Sequence, residues 1–150
     1  MSVSIRAASL NDIPAILAIE RSAPIAAHWT SEQYIELLSS GVVVIAEDGG
    51  QISGFMVAKS VASEWEIENV VVAAPLLHRG IANELLRELI RRAQSEAASA
   101  ILLEVRESNL PARRLYEKHK FREVGRRRMY YKDPPEDAIL YAHRFDRDLD

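Results

Sequence analysis

Apolar residues recur along the chain with two different periods, and the change from one to the other marks out the elements. Residues 4–7, SIRA, have the length and character of a short strand. Ser9, Asn11 and Asp12 supply helix-cap chemistry, and Ile13, Ile16, Leu17 and Ile19 follow at helical spacing, in a helix expected to end near residues 21–24. Thr30 and Gln33 have capping-box spacing ahead of Tyr34, Leu37 and Leu38, so a second helix starts at Thr30 and ends at Gly41. Residues 42–47 read as a buried strand by their β-branched content. Asp48-Gly49-Gly50 is a tight-turn signal, and residues 52–60 and 64–72 read as the next two strands.

The period then lengthens again. His78-Arg79-Gly80 opens a long amphipathic helix carrying Ile81, Leu85, Leu86, Leu89 and Ile90. Residues 100–105 form a strand, and residues 109–118 a short helix with Pro111 in its first turn, where no N–H is missed. Residues 121–131 and 138–145 are closing strands around Asp133-Pro134-Pro135. A β–α–β unit inside an otherwise antiparallel run implies a mixed, mostly antiparallel sheet with helices on its faces. The expected class is α/β (α+β), with about seven strands and about four helices in one domain over residues 1–150.

Composition removes several classes of function. The chain is 48% hydrophobic and 27% charged, which is globular, and its net charge of −3 argues against broad electrostatic binding to nucleic acid. Cysteine is absent, which excludes disulfides, thiolate zinc sites and a cysteine nucleophile. His28, His78, His119 and His143 lack metal-ligand spacing, so no metal is expected. The apolar runs at 42–46 and 70–77 fall far short of the ~18 residues of a membrane span. Residues 1–10 carry no signal-peptide core, and a cytoplasmic domain with no membrane partner is the expectation.

Three stretches could carry chemistry. Val70, Val71 and Val72 lead through a short loop to His78, Arg79, Gly80, Ile81, Ala82 and Asn83. A helix start leaves about four N–H groups unpaired, and Gly80 with small Ala82 lets an anion approach them. The plainer reading is an ordinary strand-to-helix turn. The second stretch is Glu104 inside an apolar strand, where a carboxylate must be paired, exposed or functional. Alternation puts Arg106 on its face, so a surface Glu104–Arg106 pair is the plain alternative. Tyr116 is either a core tyrosine with a satisfied hydroxyl or a functional one, and Asn109 has a plain role as a helix cap. The third is Glu64, Glu66 and Glu68 on one strand face, either a solvated face or a site for a cation or a base. The run Arg126-Arg127-Arg128 is a solvated strand edge or a phosphate contact.

Taken together these pieces resemble the GNAT superfamily of N-acetyltransferases. Arg79-Gly80-Ile81-Ala82 resembles the second half of its acetyl-CoA loop. The stretch LEVRESNLPARRLYEKHKF over residues 103–121, with Arg128, Tyr130, Tyr131 and Glu136-Asp137-Ala138, is similar to the RimI-type ribosomal-protein-alanine acetyltransferases. The resemblance implies a GNAT-like fold, acetyl-CoA as cosubstrate and a protein N-terminus, that of a ribosomal protein, as acceptor. It places the general base on Glu104 and the acid on Tyr116. Acetyl-CoA contacts fall on Val70, Val71, Val72, His78, Arg79, Gly80, Ile81, Ala82, Asn83 and Asn109. Glu68 is the rival base and, with Tyr130 and Tyr131, a substrate-binding residue. Ala82 replaces a usual glycine, His78 a usual glutamine or arginine, and Lys120 a usual glycine before Phe121.

Amine chemistry adds to this. An α-amine has a reference pKa near 7.7–8.0 against about 10.4 for lysine, so at about pH 7.5 far more of it is neutral. A modest base suffices for an N-terminus. A small-molecule amine acetyltransferase and a non-catalytic acyl-CoA sensor are the competing readings.

Overall fold

Local capping starts the first helices. The Asp12 carboxylate accepts the Ser9 N–H at 2.8 Å and is gripped by both Arg6 terminal nitrogens at 2.9 Å, which locks the 3-10 turn leading into helix α1 (Ile13–Ser22). Thr30 and Gln33 close the expected capping box, at 3.2 and 2.7 Å, and open α2 (Ser31–Ser40). The computed structural model describes residues 3–22, 29–73 and 80–145. Its strands are β1 (Ser4–Ala7), β2 (Gly41–Asp48), β3 (Gln51–Val61), β4 (Glu64–Val72), β5 (Ala100–Arg106), β6 (Arg122–Lys132) and β7 (Pro135–Arg144). Two further helices are α3 (Ile81–Ser95) and α4 (Leu110–Lys118).

The seven strands form a single sheet in the order β1-β2-β3-β4-β5-β7-β6. The β4–β5 pair is parallel, over Glu64↔Ala100, Trp65↔Ile101 and Glu66↔Leu102. β1–β2, β2–β3, β5–β7 and β6–β7 run antiparallel. The expected mixed, mostly antiparallel sheet of seven strands with four α-helices is what the described residues form. The last strand starts at Pro135, three residues earlier than its apolar pattern, because the turn needs only the Asp133-Pro134 step and proline is tolerated as a first strand residue.

Residues 1–60 with 67–92 pack as one compact unit, and residues 61–66 with 93–150 as another. In the first, Ile13 and Ile16 of α1 and Tyr34 and Leu37 of α2 bury against Val43 and Ile45 of β2, Phe55 and Val57 of β3 and Val71 of β4. The intervening β2 and β3 residues Val44, Ala46, Met56 and Ala58 are buried too, so these strands are covered on both faces. This is why residues 42–46 read as a continuous apolar run rather than an alternation. The Glu20 carboxylate, 1% exposed, accepts the Tyr34 hydroxyl and the Trp29 N–H, the latter at 3.0 Å, and ties α1 to the start of α2. Gly54 is closely packed by β4 and the start of α3. A Cβ there would stand 2.9 Å from the Val71 carbonyl oxygen and 3.3 Å from both Val72 Cα and Ile81 Cγ2.

In the second unit β5 is the organising strand. Ile101, Leu103 and Val105 are buried, while Leu102, Glu104 and Arg106 point to the other face, as the two-residue period requires. Helix α4 is capped at its start by the Asn109 side chain, which accepts the Ala112 N–H at 3.3 Å. Its end is a Schellman motif. The Phe121 N–H donates to the Tyr116 carbonyl and the Lys120 N–H to the Glu117 carbonyl, each at 3.0 Å, with Lys120 at φ +68°. Phe121 packs back on Tyr116, ring centroids 5.6 Å apart. The position at which the resemblance has glycine is thus one where the backbone requires the left-handed region, and a lysine occupies it under strain.

Two stability outcomes follow. Gly54→Ala forces backbone against backbone and is expected to cost about 1–3 kcal/mol, seen as a lowered Tm and denaturant midpoint. Lys120→Gly relieves the left-handed strain and is expected to raise stability by about 0.5–1 kcal/mol, in spite of the extra freedom glycine has when unfolded.

Candidate active site

The cluster that the sequence placed around Glu104 assembles on the second unit. Glu104 sits mid-strand on β5, in register with Leu140 of β7. Its carboxylate does not pair with Arg106. Instead Arg127 Nε of β6 lies 3.1 Å from its Oε1. Arg106 turns to Glu136, at 3.2 Å, and its guanidinium stacks over the Tyr131 ring at 4.2 Å. Arg127 stands over Tyr130 at 5.4 Å, and Tyr130 meets Tyr131 edge-on at 5.2 Å. Glu104, Arg106, Arg127, Tyr130 and Tyr131 therefore share one neighbourhood.

A bulge in β6 makes this possible. Arg127 pairs with Ala138 but Tyr131 with Glu136, so β6 spends two more residues than β7 over that interval. Met129 takes φ +51° within it. Asp137 pins the bulge, accepting the Met129 N–H at 2.8 Å and pairing with Arg126 at 2.7 Å. Those two contacts, the backbone N–H first, hold the Asp137 carboxyl below its usual range. Glu136 likewise accepts from Ser108 just beyond β5 and from Arg106, and its carboxyl is lowered for the same reason. Arg126 also reaches Glu107 at 2.9 Å. Two members of the arginine run are thus engaged by carboxylates of their own chain.

Tyr116 of α4 is 7% exposed and packs between Phe121 and Tyr141. Burial, and then the nearby Tyr131, push its hydroxyl up to about 12. The buried tyrosines of the chain divide by what their hydroxyls do. Tyr34 donates to Glu20, and Tyr141 donates to Glu117 at 2.7 Å while accepting from Arg113 at 3.0 Å. The Tyr116 hydroxyl is left without a hydrogen-bond partner among the described residues. A core role satisfied by an internal partner does not describe this residue.

Glu104 and Tyr116 do not touch. The pleat sends Glu104 to one face of β5, and the Leu103–Tyr141 pair that Tyr116 packs against to the other. Tyr131 connects them: burial raises its hydroxyl, the charge of Glu104 raises it further, and it in turn acts on Tyr116. Carboxylate and unpartnered phenol lie within electrostatic reach of one ring.

Glu68, residues 70–72 and residues 80–83 lie in the first unit. Val71 is buried in its core, and Val70 and Val72 are half-buried at the carboxyl end of β4. Gly80 has φ +80° and open space where a Cβ would stand, and its carbonyl accepts the Glu84 N–H at 3.1 Å at the start of α3. Ile81 is buried, and Ala82 and Asn83 are half-buried in the first turn. The conformation explains why a glycine stands at 80, and the open space leaves the helix start approachable by an anion. His78 and Arg79 lie outside the described residues. Glu68 pairs loosely with Lys59, Nζ to Oε1 3.6 Å. Asn109 caps α4 with its side-chain oxygen. Sequence reading missed Arg127 as the partner of Glu104. A basic run on an edge strand carries no signal for which of its members will meet a carboxylate on another strand.

Comparison with known proteins identifies the family. A model of the acetyltransferase (GNAT) family matches residues 12–121. The [ribosomal protein bS18]-alanine N-acetyltransferase of Escherichia coli is 31% identical over 134 residues, covering 87% of this chain and 90% of that protein. An N-alpha-acetyltransferase of Sulfolobus acidocaldarius is 29% identical over 157 residues, covering 95% and 92%. The crystal structure of the ribosomal-protein-S18-alanine N-acetyltransferase from Escherichia coli superposes with a TM-score of 0.89 at 28% identity, covering 97% of this chain and 96% of that one. A family match across more than two thirds of the sequence, a relative 31% identical over most of its length and a seven-stranded mixed sheet of the same fold show that the chain belongs to the GNAT family of acetyltransferases and is an acetyl-CoA-dependent N-acetyltransferase.

Proposed function

We propose that this enzyme acetylates the N-terminal α-amine of a cytoplasmic protein, an N-terminal alanine of a ribosomal protein first among them, through direct attack by the amine in a ternary complex. Residues 1–150 act in this as one acetyltransferase domain. The observation that carries the chemical part is the Tyr116 hydroxyl, buried, protonated and without a hydrogen-bond partner among the described residues. The acceptor is carried by the relatives, whose names specify alanine and α-amine acetylation. With no cysteine in the chain, an acyl-cysteine intermediate is impossible, which favours direct transfer.

Acetyl-CoA supplies the acetyl group activated as a thioester. Backbone groups of Val70, Val71 and Val72 hold that acyl arm, and an N–H near Val72 polarises its carbonyl. The pyrophosphate is held by His78, Arg79, Gly80, Ile81, Ala82 and Asn83, where the open space at Gly80 fits a close anion, and Asn109 supports the far end. Glu104 takes the proton that the acceptor nitrogen must lose, directly or through water. Tyr116 gives its own proton to the departing sulfur. A phenol held up to about 12 stays protonated through the neutral range, so the donor is always loaded. Tyr130 and Tyr131 flank the acceptor. Glu68, whose carboxylate faces Lys59 at 3.6 Å, is the rival base.

Turnover of acetyl-CoA on a peptide panel with free Ala, Ser and Met N-termini, and on blocked controls, tests this reading. Acetyl groups found by mass spectrometry mainly on lysine side chains would overturn it. Glu104→Gln is expected to lower kcat by ~10²–10⁴-fold with acetyl-CoA affinity nearly unchanged. Tyr116→Phe should lower kcat by a smaller factor, because a thiol pKa near 8.5 makes the thiolate a tolerable leaving group. That factor should stay flat from about pH 6 to 8, since Tyr116 does not titrate there. A wild-type kcat in Glu104→Gln, with Glu68→Gln impaired, transfers the role to Glu68. Gly80→Asp adds a side chain at positive φ and a like charge at the phosphate site, and calorimetry should show weakened acetyl-CoA binding by a folded protein.

A further inference from the structure

The proposed base is held in an ion pair before any substrate arrives, and the charges around it are unevenly committed. From β6, Arg127 lies 3.1 Å from Glu104 with 56% of its own side chain exposed. Its second contact is a loose stack on Tyr130 at 5.4 Å. From β5 itself, Arg106 is fixed by Glu136 and by Tyr131. Arg126 is fixed by Glu107 and Asp137. From β7 the residue in register is apolar Leu140, and from β4 Glu66 stands in register with Leu102, two residues before Glu104. Tyr131, whose hydroxyl is raised by burial and by Glu104, completes the surroundings. Among these described groups Arg127 is the cation that neutralises Glu104 while keeping a side chain able to swing into solvent.

We infer that Arg127 sets the charge state of the amine the site accepts, cancelling the field of Glu104 so that a neutral amine is taken and an ammonium is turned away. The inference rests on the reading of Glu104 as the base. A bare carboxylate beside Glu66 attracts any ammonium, lysine side chains included. With the guanidinium in place the pair is neutral, and an incoming cation meets a like charge at contact distance. A neutral amine meets no such repulsion. An α-amine, with a reference pKa near 7.7–8.0, offers a useful neutral fraction at neutral pH, whereas lysine at about 10.4 offers almost none. Arg127 thereby favours N-termini without touching the rest of the acceptor, a discrimination built on repulsion.

The test uses the full chain and two peptides: one with a free N-terminal alanine and no lysine, one N-terminally blocked with a single lysine. In Arg127→Gln the acceptor KM should fall about 2- to 5-fold at neutral pH, the range an exposed ion pair is worth. For the alanine peptide this gain should vanish by about pH 9, where the amine is neutral, whereas for the lysine peptide it should persist. High salt should erase it in both, and Arg127→Lys should behave as the parent enzyme. An unchanged ratio of kcat/KM between the two peptides, or an Arg127→Gln effect indifferent to pH and salt, overturns the inference. Glu104→Gln measured alongside separates the two readings. Parent-like turnover in that variant removes the base assignment itself. Slow turnover there, with unchanged selectivity in Arg127→Gln, removes only the role given to Arg127.

Discussion

The antiparallel ladder between β5 and β7, seven residue pairs from Ala100↔Arg144 to Arg106↔Ala138, is the constraint on which the second unit depends. Once it is fixed, the pleat has no freedom. Ile101, Leu103 and Val105 go to the core with Ile139 and Tyr141, and Glu104 and Arg106 must face the other way. A one-residue slip would bury both charges and expose the core residues, a cost no surface pairing could offset. The same hydrophobic burial that stabilises the unit therefore holds the glutamate out, facing β6.

Tyr116, the proposed acid, is positioned by a different device. Tyr116 is the third-from-last residue of α4 and accepts, through its own carbonyl, the hydrogen bond that closes the helix. Its ring is trapped between Phe121, two residues past the helix cap, and Tyr141 on β7. Helix termination and tyrosine placement are one structural event. The strain at Lys120, a lysine in the left-handed region, shows that the turn geometry outranks the local preference of the residue.

Charge around the site is arranged in pairs with separate tasks. Glu136 and Asp137 spend their carboxylates on the Ser108 and Met129 backbone N–H groups and on Arg106 and Arg126, bracing the segment after β5 and the β6 bulge. Arg127–Glu104 braces no backbone. The Glu136 and Asp137 carboxylates thus hold backbone, whereas Glu104 holds a half-exposed guanidinium.

Much of the fold was legible in the sequence because it is written in local physics. Capping at Thr30 and Asn109, the turn at Asp48-Gly49-Gly50, the β-branched run of β2 and the helical stripe of α3 are each decided within a few residues. Glu104 and Tyr116 could be singled out for the same reason: a carboxylate in an apolar strand is locally anomalous, and the stretch around them is specific to the family resemblance. What the sequence could not decide are pairings between residues far apart in the chain. Whether Glu104 meets Arg106 two positions away or Arg127 on another strand depends on the β6–β7 register and on a bulge that shifts it by two residues. Whether a helical tyrosine is satisfied or unpartnered depends on which acceptors the packed core brings to it. Three buried tyrosines of one residue type end with two bound hydroxyls and one without a partner among the described residues, and only the tertiary contacts distinguish them.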